Sequence, residues 1–121
     1  MWSLVERLWS RRQPADRLLV ESETSTALTL RHGSQRMVFD RLTRAVTQQG
    51  RQISTFGNLQ RVLVRQSAKD DGSPVWLVAL QLKGPREEVA VGRAKDADEA
   101  AAAAARIAAV TGTQVKTQAT P

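Results

Sequence analysis

The order of its secondary-structure signals constrains this chain most, because one strong helix pattern follows a long run of residues patterned mainly as strands. The helix pattern runs from Asp96 to Gly112 and is rich in alanine. Asp96 is placed to cap its first turn with Glu99 three residues later, and Gly112 suits the left-handed position after its last turn. A strand meander closed by one helix is typical of a small barrel. We therefore expect an α+β, mainly β fold with a helix over 96–111.

Alternating apolar and polar residues predict the strands. The segments with this pattern are 18–20, 26–31, 36–39, 42–47, 52–55, 60–66, 75–82 and 87–92. Segment 75–82 is apolar on both faces, with Trp76, Val78, Leu80 and Leu82 on one side and Val75, Leu77 and Ala79 on the other. A strand with one solvated face would alternate with polar residues, so we expect both faces of this strand to be covered.

The first thirteen residues predict a short amphipathic helix. Trp2, Val5, Leu8 and Trp9 recur at spacings of three and four, and Pro14 ends the segment. Such a short helix is unstable alone and must dock on its own domain, on another protein chain or at a membrane interface. The expected organisation is this helix at 1–13, a connector at 14–25, a barrel domain at 26–115 and a tail at 116–121.

The positive charge is confined to the N-terminal half. Residues 1–65 contain eleven arginines and five acids, whereas residues 66–121 contain seven bases and seven acids. This asymmetry favours an anionic ligand, an anionic lipid surface or an acidic protein, or is a solvated surface that keeps the chain soluble. Nucleic acid is less favoured, because nucleic-acid-binding sheets usually add exposed aromatic residues. The candidate anion-binding residues are Arg31, Arg36, Arg44, Arg61 and Arg65.

The sequence contains no recognisable catalytic, metal or cofactor motif. Cysteine is absent, His32 is the only histidine, and no glycine-rich phosphate loop occurs. We expect His32 to lie exposed in a turn and each acidic cluster to have a local structural role. The longest uncharged stretch, 72–82, is too short to cross a bilayer. The expected protein is therefore a cytoplasmic one without enzymatic activity, metal, cofactor or small-molecule substrate.

The stretch from Ala27 to Val115 resembles the bacterial pleckstrin-homology-like domains. The resemblance rests on VFDRLTRAV (38–46), ISTFGNLQRVLV (53–64), VWLVALQL (75–82), VAVG (89–92) and DADEAAAAAARIAAVTGTQV (96–115). It implies a bent antiparallel barrel of about seven strands plugged at one end by the C-terminal helix. Family members that are membrane-bound carry hydrophobic spans before the domain, whereas this chain has only the segment from Trp2 to Trp9.

The resulting hypothesis is a noncatalytic interaction or assembly module. It would bind a protein partner or a second copy of itself, in the cytoplasm or at the periphery of the inner membrane. The predicted surface combines the apolar N-terminal residues with the second face of the hairpin: Trp2, Val5, Leu8, Trp9, Leu63, Val75, Leu77 and Ala79. The alternative is binding of nucleic acid or another anionic ligand through the arginine-rich half.

Overall fold

The structure, a computed structural model, describes residues 17–68, 72, 74–84 and 87–118. Within these ranges the chain forms two β-sheets and one α-helix. The mainly β fold with a C-terminal helix, expected from the sequence, is confirmed. The N-terminal helix predicted for residues 1–13 lies outside the described residues, together with Trp2, Val5, Leu8 and Trp9.

The first sheet is an antiparallel meander in which each strand pairs with the next along the chain. Its strands are β1 (Leu18–Glu23), β2 (Ala27–His32), β3 (Gln35–Asp40), β4 (Ala45–Gln48) and β5 (Arg51–Thr55). Leu28 and Leu30 on β2 alternate with exposed or half-buried neighbours and are almost completely buried. Phe39 on β3 is opposite Leu28 and is also fully buried, so one face of this sheet forms half of the core.

The second sheet has the strand order β8-β7-β6-β9. Its strands are β6 (Leu59–Ala68), β7 (Pro74–Leu82), β8 (Glu88–Ala94) and β9 (Val115–Gln118). β6, β7 and β8 are antiparallel, whereas β9 follows the helix and runs parallel to β6. Val62, Val64, Val78 and Leu80 contribute the second half of the core.

The helix α1 (Ala97–Thr111) packs on strands of both sheets. The side chain of Asp96 accepts the backbone N–H of Glu99 at 2.9 Å, and Gly112 adopts the left-handed conformation with φ of 75°. Both predicted caps are therefore confirmed. The buried residues of the helix are Ala100, Ala103, Ala104, Ile107 and Thr111, and only Ile107 among them has a large apolar side chain. No helix among the described residues is long and apolar enough to cross a membrane.

The structure has more strands than the expected seven or so, because polar segments also form strands at the ends of the domain. β1 extends through Glu21 to Glu23 and is held by pairing with β2, while β9 is held by pairing with β6. The predicted strand 42–47 begins only at Ala45. Residues 41–44 form a turn in which Asp40 Oδ1 accepts the N–H of Leu42 at 2.8 Å, leaving Leu42 78% exposed.

Candidate interaction surface

The face of the second sheet turned away from the core is the candidate interaction surface, and we call it the outer face. Side chains alternate along β6 and β7, so Val64 and Val78 join the core while their sequence neighbours lie on the outer face. The predicted surface residues of these strands are Leu63, Val75, Leu77 and Ala79. Leu63 and Ala79 are only 2% and 6% exposed. Val75 and Leu77 are half-buried, so these two present apolar surface to solvent.

A bidentate ion pair crosses the outer face from β6 to β8. Arg65 donates from Nη1 and Nη2 to the two carboxylate oxygens of Glu88 at 2.8 and 2.9 Å. In register, Arg65 lies opposite Leu77, whereas Glu88 lies opposite Gln81. The ion pair must therefore pass over Ala79, the outer-face residue between Leu77 and Gln81. Hydrogen bonding to Glu88 raises the pKa of Arg65, which keeps this guanidinium charged.

A cavity of about 300 Å³ opens on the outer face beside this ion pair. It combines apolar side chains with charged groups of the second sheet and polar groups from hairpin tips of the first. The residues of these three kinds are Leu77, Ala79 and Ala90; Arg65, Glu88 and Arg93; and His32, Gln35 and Gln48. Arg93 has no ion-pair partner among the described residues. An apolar wall with a few converging polar groups is typical of a binding site.

His32 is not the exposed turn residue that the sequence suggested. It ends β2 and is half-buried, and its ring lies against Gly92 of β8. A Cβ added at Gly92 would lie 2.9 Å from both Cγ and Cδ2 of the imidazole. The Nε2 atom of His32 is buried and has no hydrogen-bond partner. The contact of β8 with the end of β2 covers this side chain, and two strands so far apart in sequence give no local signal of that contact.

Hydrogen bonds between two neighbouring turns hold the hairpin tips beside the cavity. Gln48 Nε2 donates to Gln35 Oε1 at 3.0 Å, and Gln49 Nε2 donates to the carbonyl of Ser34 at 3.2 Å. The carbonyl oxygen of the Gln49 amide side chain accepts the backbone N–H of Arg36 at 2.9 Å. These contacts fix the polar edge of the cavity.

The predicted arginines on the first sheet are engaged with one carboxylate. Arg31 and Arg36 are opposite each other on β2 and β3, on the face away from the core. Arg36 Nη2 donates to Glu21 Oε1 at 2.8 Å, and Arg31 Nη1 lies 3.9 Å from the same oxygen. The hydrogen bond from Arg36 lowers the pKa of Glu21. Glu21 thus neutralises part of the positive charge that the sequence displays here.

The remaining predicted arginines lie elsewhere. Arg44 is in the turn between β3 and β4, with its guanidinium 5.7 Å from the centre of the Phe56 ring. Arg61 lines a second, more polar cavity of about 290 Å³ with Lys116 of β9. Arg65 belongs to the ion pair with Glu88. The five candidate arginines are thus distributed over two sheets and a turn rather than gathered in one site.

Four of the eight acidic residues in the described part form ion pairs, while Asp40 and Asp96 accept backbone N–H groups in a turn and at the start of α1. The carboxylates that bind arginine side chains are those of Glu21, Glu23, Glu88 and Glu99. No group of three or more His, Cys, Asp or Glu side chains within the described ranges is arranged to hold a metal ion.

Several cavity residues were not predicted from the sequence. Ala90 and Arg93 gave no signal, because only the pairing of β8 with β7, which contains a register shift, reveals which side chains share the outer face. The tips with Gln35 and Gln48 are distant in sequence from β7 and β8. The two-sided apolar pattern of β7 was the one sequence feature that pointed to this surface.

Comparisons of the chain with protein-family models, with curated proteins and with solved structures find no match.

Proposed function

We propose that this chain is a noncatalytic interaction module with the architecture of a pleckstrin-homology-like barrel. The barrel is supported by two arrangements. The helix α1 contacts strands of both sheets, and β8 at the edge of the second sheet contacts β1 and β2 of the first. In this proposal α1 closes the barrel and has a structural role, and the binding surface lies on the outer face.

The observation that carries the proposal is the cavity next to Leu77 and Ala90. Leu77 and Ala79 line the cavity from the face of β7 turned away from the core, while Val78 and Val91 of the core also border it. Apolar surface left open beside a cavity is the arrangement expected where another chain is received. Arg93 adds a positive charge without a partner within the described residues. The partner is therefore a protein segment with apolar anchors and an acidic group, from another protein or from a second copy, in the cytoplasm or at the inner membrane periphery.

Ala90→Arg tests this surface, because Ala90 is exposed on β8 and a long charged side chain there would block the cavity. The matched control is Ala101→Arg on the exposed face of α1. Sedimentation over a wide range of protein concentration measures self-association, and affinity capture followed by binding assays with the purified candidate measures a foreign partner. We expect Ala90→Arg to abolish binding that Ala101→Arg preserves. Equal binding by both variants would exclude the outer face.

A second candidate function is contact with an anionic surface through the turn between β3 and β4. Leu42 is exposed there, and Arg41 and Arg44 flank it without an ion pair to any described residue. An apolar side chain between two cations is suited to the boundary of an anionic membrane. In this candidate function an anionic ligand still binds to the arginine-rich half of the chain, but only at the turn between β3 and β4.

Vesicle co-sedimentation with and without an anionic lipid tests the second candidate. We expect the wild type to bind only anionic vesicles, and Leu42→Ser and Arg41→Gln each to weaken that binding. A generic oligonucleotide titrated with salt tests nucleic acid as the anion, because phosphate-driven affinity falls steeply as salt rises. Absence of binding to both ligands at low salt would remove this candidate.

A further inference from the structure

We infer that the N-terminal segment, residues 1–13 of the same chain, occupies the cavity on the outer face when no partner is bound. This inference rests on the proposed function, since it concerns the regulation of the same surface. It commits to one occupant, the chain's own segment with the apolar residues Trp2, Val5, Leu8 and Trp9.

The first described residues of the chain lie close to the cavity. Leu18, the first residue of β1, is the register partner of His32, which lines the cavity. Arg17 precedes it and is held by Glu99, with Arg17 Nε 3.3 Å from Glu99 Oε1. The chain therefore leaves β1 at the end where the hairpin tip meets the cavity, and it leaves from a fixed point.

The length of chain before Arg17 fits this path. Three residues, 14–16, span at most about 10 Å when extended. A helix of thirteen residues is about 20 Å long, and neighbouring strands of a sheet are about 4.8 Å apart. The segment is long enough to cross β8 and β7 while staying close to its point of attachment.

The chemistry of the two surfaces is complementary. The segment offers two tryptophans on one predicted helical face, and the cavity offers the small side chains of Ala79 and Ala90 beside Leu77. Small residues leave room for an indole ring, which gains most of its binding energy from buried apolar area. Arg93, without an ion-pair partner in the described part of the chain, is available to stack on such a ring.

A segment joined to Arg17 by a three-residue linker has a high effective concentration at nearby surfaces, in the millimolar range for short linkers. A partner of the outer face must therefore displace it. The segment then acts as an internal competitor that selects for partners with stronger anchors, and its release exposes two tryptophans for further contacts.

Tryptophan fluorescence of the full-length chain tests the inference. A Trp76→Phe background leaves only Trp2 and Trp9 as emitters, and its cooperative unfolding is verified first. We expect blue-shifted emission, protection from acrylamide quenching, and no change of either on dilution. Adding Ala90→Arg should shift the emission to that of solvated indole and raise the quenching constant severalfold, whereas adding Ala101→Arg should change neither.

Three results would overturn the inference. These are solvated emission in the Trp76→Phe background, protection that survives Ala90→Arg, and protection that disappears on dilution, which would assign the site to a second copy. A double-mutant cycle between Trp9→Ala and Ala90→Arg provides an independent measurement, because contacting residues show non-additive effects on the unfolding midpoint. Additive effects would contradict contact. The two proposals can fail separately. If Trp2 and Trp9 are solvated but Ala90→Arg still abolishes partner binding, the proposed function stands and this inference is wrong.

Discussion

Arg65 on β6 binds Glu88 on β8 across the intervening strand, with its Nη1 and Nη2 atoms 2.8 and 2.9 Å from the two carboxylate oxygens. Its Nε also donates to the side chain of Gln118 on β9 at 3.1 Å. One guanidinium therefore links β6 to β8 over β7 and also to β9, the neighbour of β6 on its other side. Because both partners of the ion pair are 37% exposed, its effect on stability is limited, and its main consequence is the shape of the outer face.

Replacing either partner of this ion pair should cost little stability. We expect Glu88→Gln and Arg65→Lys each to lower the free energy of unfolding by about 1 kcal/mol or less, with a coupling of about 0.2–1 kcal/mol that decreases at high salt. Urea unfolding of the single and double variants measures it. Arg93→Lys serves as the control, since Arg93 forms no ion pair with a described residue. A salt-independent coupling would contradict an electrostatic origin.

Ala79 should be much less tolerant of enlargement than Ala101 on the exposed face of α1. Ala79 lies beneath the ion pair and is 6% exposed, so Ala79→Leu must displace Arg65 or shift β7. We expect a loss of about 1–3 kcal/mol from overpacking. Ala101→Leu, at an exposed position of α1, should change stability by less than about 0.5 kcal/mol. Equal costs in chemical denaturation would mean that the ion pair does not constrain Ala79.

The sequence predicted those parts of the fold that depend on local signals. The caps of α1 and the buried face around Ile107 follow from residues within a few positions of each other, and the structure confirms them. β9 gave no such signal. Its residues are mostly exposed and polar, and it is a strand because Gly112 turns the chain back alongside β6. The strand predicted from Leu42 was wrong at its start. An apolar residue in an exposed turn cannot be distinguished by sequence from an apolar residue in the core.

The candidate site was predictable only in part, for the same reason. The two apolar faces of β7 follow from the pattern of consecutive residues, and this pattern predicted Leu77 as a surface residue. The ion pair beside Ala79 joins residues 23 positions apart, and His32 packs against Gly92, sixty positions away in the chain. Register and non-local packing determine such features, and periodicity in a single sequence carries no information about either.

Gly92→Ala should destabilise the fold. The added methyl group would lie 2.9 Å from Cγ and Cδ2 of His32 and 3.0 Å from its Cβ, so rotation of the ring alone does not remove the clash. We expect a loss of about 1–3 kcal/mol. At Gly57, nothing lies within 4 Å of an added Cβ, so Gly57→Ala is the matched control and should be close to neutral. Thermal unfolding of the two variants provides the comparison, and equal midpoints would refute close packing of His32 on Gly92.

Ile107 should account for much of the packing energy of α1. It is completely buried, and the other members of the buried helical face are small. We expect Ile107→Val to cost about 0.5–1.5 kcal/mol and Ile107→Ala about 2–5 kcal/mol. Val110→Ala, on a residue that is only partly buried, should cost less. Amide hydrogen exchange of α1 would distinguish local loosening of the helix from global unfolding. A near-neutral Ile107→Ala would contradict the role of this side chain as the anchor.

Glu99 should make stability depend on pH, because it joins the start of β1 to the start of α1. Hydrogen bonding to Arg17 lowers the pKa of Glu99, and the N–H of Lys95, 3.2 Å from Oε1, acts in the same direction. A carboxylate with a lowered folded-state pKa stabilises the fold above its unfolded-state pKa of about 4.3 and loses that effect as pH falls through the folded-state value. The stability difference between wild type and Glu99→Gln should therefore be constant near neutral pH and shrink in acid below about pH 4.3.

Urea unfolding measured across this pH range follows the difference directly. Asp98→Asn removes a carboxylate from the same helical turn that forms no ion pair with a described residue, so it controls for the loss of one negative charge. The stability difference between wild type and Arg17→Gln should also shrink in acid, because Arg17→Gln removes the same ion pair. If the difference between wild type and Glu99→Gln persists unchanged after Glu99 is protonated, the contribution of Glu99 does not depend on its charge, and the connection between β1 and α1 must rest on packing instead.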